Sequence, residues 1–305
     1  MAQFGNAYGT TWRQPLSAML RWGVEKVVKL PRADAEGLPA CRDNDGRALA
    51  DNEPHLTWVG HATFVMRLGG VLVATDPVWR GSIAYVKRLV APGVRLESLP
   101  GLDVVTVTHN HYDHLDVPTL KRLRERFDPL FVVPRQNGRL LRAAGIERIA
   151  ELCWWQSIQV GDLEIVLVPA QHWSSRRWIL DMNRSLWGGY VFRSREGTAY
   201  HAGDTAFEPL LFGSIADSFP ALDWAMLPIG AYNPEWFLKT QHMNPEDAGR
   251  AFKILGARRL VPMHYGTYHL TDEPVGEPIE RLRAFFQGRE ELLTEMDVGE
   301  TVRMR

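Results

Sequence analysis

The chain has 305 residues, 45% hydrophobic and 23% charged, with 35 Lys and Arg against 36 Asp and Glu for a formal charge of −1. That balance argues against nucleic acid as a partner, which calls for a global or clustered basic excess, and the length suffices to bury a large core without staples. The two cysteines, Cys41 and Cys153, lie far apart and form no CxxC, so a disulfide framework is not expected and a reducing cytosol fits.

The opening "MAQFGNAYGTTWRQ" has no apolar segment behind a basic start, so no secretory signal is expected. No run reaches the ~18–20 apolar residues needed to span a bilayer. Together these give the expectation of a cytoplasmic protein that at most touches a membrane. Residues 15–30 place Leu16, Met19, Leu20, Gly23, Val24, Val27 and Val28 at helical spacing, with Arg21, Glu25, Lys26 and Lys29 mostly on other faces. The helix is expected to pack on its own domain; lying on a membrane surface or a partner is the alternative. Residues 31–54 are polar and rich in Asp, Ala, Gly and Pro, which predicts an irregular connector. Residues 1–54 are therefore read as an N-terminal helix and connector, and the compact domain is read as 55–305.

From His55 the stretches "HLTWVG", "ATFVMRL" and "VLVATD" predict a strand meander, with Gly69-Gly70 as a two-residue hairpin turn. "DVVTVTH" is a short β-branched run of the kind found in buried strands. Helical patterns near 117–127 and 136–145 flank the strand "LFVVP". In the second half, "LEIVLVPA", "LWGGYVFRS", "GTAYHAGD", "DWAMLPIG" and "RRLVPMH" predict strands, and helices are expected near 205–217, 244–256 and 278–291. "MNPEDAGRAFKIL" has the form of a capped helix, with Asn244 at the N-cap, Pro245 following and acids in the first turn. No linker divides 55–305, which predicts one domain with two β-rich halves.

The stretch "THNHYDHLD" holds three of the 10 histidines of the chain within nine positions. It stands at the end of a predicted strand, and the pattern recurs: "IVLVPAQ" runs into His172, "TAYHAG" into Asp204 and "RRLVPM" into His264. Strand ends along a sheet edge converge, so ligands far apart in sequence can meet there. His109 and His111, two apart in an extended segment, point to the same side. Asp113 and His114 follow where the chain turns towards the helix at Val117, and can serve a neighbouring point. Asp204 can bridge through its two oxygens. Imidazole and carboxylate without thiolate, open to water, suit a catalytic rather than a structural site, with zinc as first choice.

His109-x-His111-x-Asp113-His114, followed in order by His172, Asp204 and His264, resembles the metallo-β-lactamase superfamily. The resemblance implies an α/β fold, an αββα sandwich of two mixed β-sheets flanked by helices, with a dimetal site at one edge. "TWVGHATFVM", "TDPVW", "WWQS", "PAQHWSSR", "NRSLWGGYVF", "AGDT", "LPIGAY", "QHMNPEDA" and "HYGTYHLTDEP" together resemble the branch that contains N-acyl-phosphatidylethanolamine-hydrolysing phospholipase D and its bacterial relatives. The reaction implied is phosphodiester cleavage to phosphatidic acid and an N-acylethanolamine. His201 stands at a strand position where that branch more often has an aromatic.

On this reading His109, His111 and His172 hold one zinc and Asp113, His114 and His264 a second. Asp204 bridges them, and a hydroxide between the two metals is the nucleophile. Asp76 and Asp116 are expected either to fix the imidazoles from behind or simply to cap loops. His242 and His61 are the remaining histidines expected near substrate, either donating to phosphate or leaving group or serving as structural hydrogen-bonders. Tyr232 and Tyr265 are weaker candidates. Arg176, Arg177 and Arg184 form either a solvated basic face or a contact for an anionic head group, and the tryptophans either core or an acyl groove. Competing readings are a lactonase or other acyl or ester hydrolase and, from another class, a non-catalytic metal-binding protein. Partners are confined to a small-molecule or lipid substrate, with peripheral membrane contact through residues 15–30 and a homodimer left open.

Overall fold

A computed structural model describes residues 3–10, 16–28, 37–177 and 180–304. The helix expected at 15–30 is described as α1 (Leu16–Val28), its remaining positions and residues 31–36 lying outside the described residues. The first half then runs β1 (His55–Gly60), β2 (Thr63–Leu68), β3 (Val71–Thr75), a short ribbon of β4 (Ser82–Ile83) and β5 (Val86–Lys87), β6 (Val104–Thr106), α2 (Val117–Phe127), β7 (Leu130–Pro134), α3 (Gly138–Arg142) and β8 (Ile149–Leu152). The second runs β9 (Ser157–Val160), β10 (Leu163–Val168), β11 (Gly189–Ser194), β12 (Gly197–His201), α4 (Pro209–Ser218), β13 (Trp224–Pro228), α5 (Glu235–Leu238), α6 (Pro245–Leu255), β14 (Arg259–Met263), α7 (Glu277–Phe285) and β15 (Thr301–Arg303).

The strands form two mixed sheets, a seven-stranded one in the order β15-β1-β2-β3-β6-β7-β8 and a six-stranded one in the order β14-β13-β12-β11-β10-β9. Each begins as an antiparallel meander and continues with parallel strands, the change falling between β3 and β6 in one and between β12 and β13 in the other. At the β2–β3 hairpin Leu68 pairs with Val71 across Gly69 and Gly70, whose φ values of 58° and 74° match the left-handed pair a two-residue turn needs.

Side-chain alternation sets the layers. Phe64, Met66 and Leu68 of β2 join Ile165, Leu167, Phe192 and Tyr200 of the second sheet in one buried core, whereas Val65 joins Leu72, Val105, Phe131 and the α2 residues Leu120 and Leu123 on the outer face. Tyr190 bolts the sheets together: its hydroxyl lies 3.1 Å from the carbonyls of both Val107 and Val132. On the far side α6 packs on β13, between α4 and α7. Its N-cap is the one expected, Asn244 Oδ1 accepting from Asp247 N at 2.9 Å. Two mixed sheets with outer helices make the αββα sandwich.

Residues before His55 are woven into this body. Phe4, Tyr8 and Leu38 pack against the main core and Leu49 is fully buried. Asn44 Nδ2 donates to the carbonyl of Gly299 at 2.8 Å beside β15, the edge strand that closes on β1. No described helix is long and apolar enough to cross a membrane.

Candidate metal centre

Five loops leave strands of the two sheets and meet at one edge. Asp76 follows β3, the His109–His114 loop follows β6, His172 follows β10, Asp204 follows β12 and His264 follows β14. Three of the residues there, His61, Asp76 and His264, hold φ values of 57°, 38° and 63°, a region unfavourable to side chains of their size and often associated with functional sites.

Two groups of ligand atoms lie side by side. In the first, His109 Nε2 is 2.9 Å and His172 Nε2 3.3 Å from His111 Nδ1, and Asp204 Oδ2 is 3.9 and 3.8 Å from His109 Nε2 and His172 Nε2. In the second, His114 Nε2 is 3.3 Å from His264 Nε2, and Asp113 Oδ2 is 3.5 and 3.4 Å from those two nitrogens. Asp204 faces both, with Oδ2 at 3.3 Å from His114 Nε2 and Oδ1 at 3.0 Å from His264 Nε2. Ligands ~2.1 Å from a tetrahedral zinc stand ~3.4 Å apart, which is the spacing of both groups. Within each group all ligand atoms fall within 4.8 Å of one another. Several imidazole nitrogens and carboxylate oxygens converging on one point in each group are what a cation calls for. The donor set fits a metal.

The imidazoles are aimed by their other nitrogens. His114 Nδ1 donates to Asp76 Oδ2 at 2.7 Å, and His172 Nδ1 to the carbonyl of Gln241 at 2.9 Å. Thr108 Oγ1 donates to Asp76 at 2.6 Å and accepts from His109 Nδ1 at 3.0 Å, so the same carboxylate steadies a second imidazole through a hydroxyl. Such bonds engage the far nitrogens and leave Nε2 as the atom that faces the candidate metal position. Asp76 therefore takes the role of fixing the imidazoles, whereas Asp116 is the α2 N-cap, accepting from Thr119 N at 3.1 Å.

Electrostatics divides the groups by sign. Burial pushes His111 and His242 down to about 4, and His109 and His172 well below the ordinary imidazole value, leaving them neutral as ligands must be. Burial acts the same way on His264, yet Asp204 and Asp113 override it and raise the group to about 9; the same two carboxylates, with Asp76, raise His114. Asp113 and Asp204 stay well below the carboxylate range against the pull of burial, chiefly because His114 stands beside them. Carboxylates that hold protons on nearby imidazoles are a site short of positive charge, which a divalent ion supplies.

The open end is marked by the side chains that keep some exposure, Asp113 at 16% and His242 at 12%. His242 Nδ1 is 4.0 Å from Asp204 Oδ2 and has no hydrogen-bond partner among the described residues. His61 lies elsewhere than the substrate-facing option required. It is 1% exposed beneath the ligands, its Nε2 donates to Asp113 Oδ2 at 3.1 Å, and burial carries it down to about 3. It can aim Asp113 or join its ligand group, but it has no path to a substrate.

Several other candidates are already engaged. Tyr232 donates to Glu277 at 2.6 Å, and Tyr265 stacks on Trp58 at 5.3 Å. Arg176 turns inward, donating to the carbonyls of Asn110 and Leu115 at 3.2 and 2.7 Å with its guanidinium over Tyr112, so it clamps the ligand loop; Arg177 and Arg184 are exposed. Trp187 is core, and Trp154 donates to its carbonyl. Trp173, one of the tryptophans offered for an acyl groove, belongs to a wall whose other members were not expected. Trp22 of α1 stacks on Phe237 of α5 at 4.9 Å, and this pair packs with Trp173, whose ring meets His111 edge-on at 4.5 Å. Apolar spacing in residues 15–30 signalled the helix but nothing about its address.

Known proteins resemble this chain in sequence and in fold. The family model described as "Beta-lactamase superfamily domain" matches residues 72–265. An uncharacterised protein of Mycobacterium tuberculosis is 41% identical over 239 residues, covering 75% of this chain and 63% of its own length, so the chain spans just under two thirds of that relative. The Caenorhabditis elegans N-acyl-phosphatidylethanolamine-hydrolysing phospholipase D 1 is 36% identical over 264 residues, 80% of this chain and 74% of the relative. Among solved structures, Igni18, a metallo hydrolase of Ignicoccus hospitalis, superposes with a TM-score of 0.64 at 23% identity, covering 83% of this chain and 98% of that one. The chain belongs to the metallo-β-lactamase superfamily of metal-dependent hydrolases. Its sequence relatives within that superfamily include N-acyl-phosphatidylethanolamine-hydrolysing phospholipase D enzymes.

Proposed function

We propose that the protein is a dizinc phosphodiesterase of phospholipase D type, hydrolysing lipids like N-acyl-phosphatidylethanolamine to phosphatidic acid and an N-acylethanolamine. The observation that carries it is the two adjoining ligand groups, with Asp204 3.3 Å from His114 Nε2 and 3.0 Å from His264 Nε2, joined to 36% identity with an enzyme named for that substrate. His109, His111 and His172 serve one ion, Asp113, His114 and His264 the other, and the Asp204 carboxylate spans them. Two such ions, when bound, supply a water ionised at neutral pH and positive charge beside the attacked and leaving oxygens.

The chain's own residues do the rest. Asp76, Thr108 and Gln241 hold imidazoles in the ligating tautomer, and His61 holds the Asp113 carboxylate. His242, neutral and with its Nδ1 unpartnered among the described residues at the open end, is placed to donate a ring N–H to a phosphoryl oxygen. The Trp22–Phe237–Trp173 wall offers an acyl chain an apolar surface. On the solvent side of α1, Leu20 and Val24 are 63% and 64% exposed one turn apart, and Trp236 is 42% exposed beneath Arg21, an edge suited to the interface of a bilayer.

The test is a panel run under identical conditions on N-acyl-phosphatidylethanolamine, an aryl phosphodiester and a homoserine lactone, with elemental analysis of the same preparations. Two zinc-like ions per chain are expected, with turnover of the phosphodiesters that Asp204→Ala and His111→Ala abolish. Turnover of the lactone alone would establish an acyl hydrolase instead, and unchanged turnover in both variants would end the dimetal reading.

A further inference from the structure

The described residues 170–177 and 180–188, which carry His172, lie outside the strands, so sheet ladders do not satisfy their backbone donors. Part of that work falls to a segment more than 160 residues away in sequence. Asn6 Oδ1 accepts from His172 N at 3.2 Å and from Trp187 Nε1 at 3.0 Å, Trp187 being fully buried. Asn6 Nδ2 donates to the carbonyl of Thr10 at 3.0 Å, closing a small loop, and Gln171 Nε2 donates to the same carbonyl at 2.6 Å. Phe4 N donates to the carbonyl of Asn183 at 2.8 Å near the loop's far end. Gly9, at φ +63°, passes so close that a Cβ would stand 2.9 Å from Glu208 Oε2 and 3.1 Å from Gln171 Oε1.

From this geometry we infer that residues 3–10 are a strap that sets the reach of His172 towards the metal, with Asn6 as its positioning residue. His172 is held at two points, its main-chain nitrogen by Asn6 and its ring Nδ1 by Gln241. With both in place Nε2 has one position opposite His111 Nδ1; without Asn6 the main-chain nitrogen is left a buried donor and the ring pivots on Gln241 alone. These bonds of the strap end on His172, Gln171, Asn183 and Trp187; none of them ends on His109, His111, Asp113, His114 or His264, and they meet the Asp204 loop only through Gln171. Loss of Asn6 therefore weakens one ion selectively. The inference rests on reading His109, His111, His172 and Asp204 as ligands of one ion.

Zinc-loaded protein titrated with a chromophoric chelator tests it, with thermal unfolding of the metal-free protein alongside. Asn6→Ala is expected to weaken one of two ions about tenfold or more, the range typical for loss of a group that supports a ligand, and to leave the other near wild type, while the unpaired His172 nitrogen lowers the metal-free melting temperature by a few degrees. Asn6→Asp keeps the acceptor oxygen and should bring the weakened ion back to within about threefold. Gln3→Ala removes only an exposed bond to the carbonyl of Met182 on the same strap and should change neither ion. Should Asn6→Ala not fold, Asn6→Gln, whose amide is set one methylene further out, carries the same comparison. The strap's role is overturned if both ions stay at wild-type affinity, or if both weaken together in step with a fall in the metal-free melting temperature. Failure of the metal assignment shows differently: wild type binds no zinc, or His172→Ala leaves both ions unaffected, and the inference falls with it.

Discussion

Asp76 and His114 are joined by a hydrogen bond of 2.7 Å between two fully buried side chains, and the same carboxylate reaches His109 through Thr108. One acidic group thus orients an imidazole in each ligand group. Asp76→Asn keeps the shape and removes the charge, and the affinity for both ions should fall by about 10–100-fold. Chelator competition on the variant measures this; loss confined to one ion would show that the Thr108 relay does not matter.

Metal binding should depend on pH through His264. Its folded value of about 9 lies above the ordinary imidazole value of ~6.5. In metal-free protein this group therefore contributes stability that is complete below about 6.5 and lost as pH rises through about 9. Zinc has to displace that proton, so apparent affinity should climb about tenfold per pH unit on its account and this contribution should level off above about 9, with the proton similarly held on His114 adding to the slope. A flat profile between pH 6.5 and 8.5 would show that neither proton is present.

The exposed edge of α1 gives a prediction about lipid surfaces. Leu20→Glu with Val24→Glu should reduce co-sedimentation with anionic vesicles several-fold and slow turnover of vesicle-borne substrate. Turnover of a soluble aryl phosphodiester should stay within about twofold, because neither side chain packs inward. Equal losses on both substrates would indicate damage to the site instead.

Tyr190 links the sheets away from the metal. Tyr190→Phe leaves two buried carbonyls sharing no hydroxyl, and should cost about 1–3 kcal/mol of stability in urea unfolding. Zinc content should not change. A variant as stable as wild type would show that other groups or water satisfy those carbonyls.

Much of this was legible because strong signals are local. The His-x-His-x-Asp-His spacing brought out four candidate ligands, and strand patterns running into His172, Asp204 and His264 brought out three more at strand ends where the fold gathers them. Asn244 and Pro245 announced α6. What escaped detection lacked such signals. β9 and β15 are short edge strands, one alternating weakly and the other three residues long, so neither shows a buried run. His61 looked like a pocket residue because its burial comes from the irregular turn between β1 and β2 and from the approach of His264, neither of which has a period. Asn6, Gly9 and Thr10 form a polar stretch with no helical or strand pattern, and their partners lie on a loop whose position only the finished sandwich defines.

The two sheets, each a meander followed by parallel strands, have a consequence for how the protein could be divided. The strands up to Leu152 present His109, His111, Asp113 and His114; those from Ser157 onward present His172, Asp204 and His264. Neither share completes a four-ligand group, since each group draws on both. Severed in the short connection between them, the chain would yield two pieces without hydrolytic capacity, and activity would return only by complementation, when the pieces re-form the seam. Residues 3–10, clasping the His172 loop from the other side of that division, would travel with the piece they do not serve.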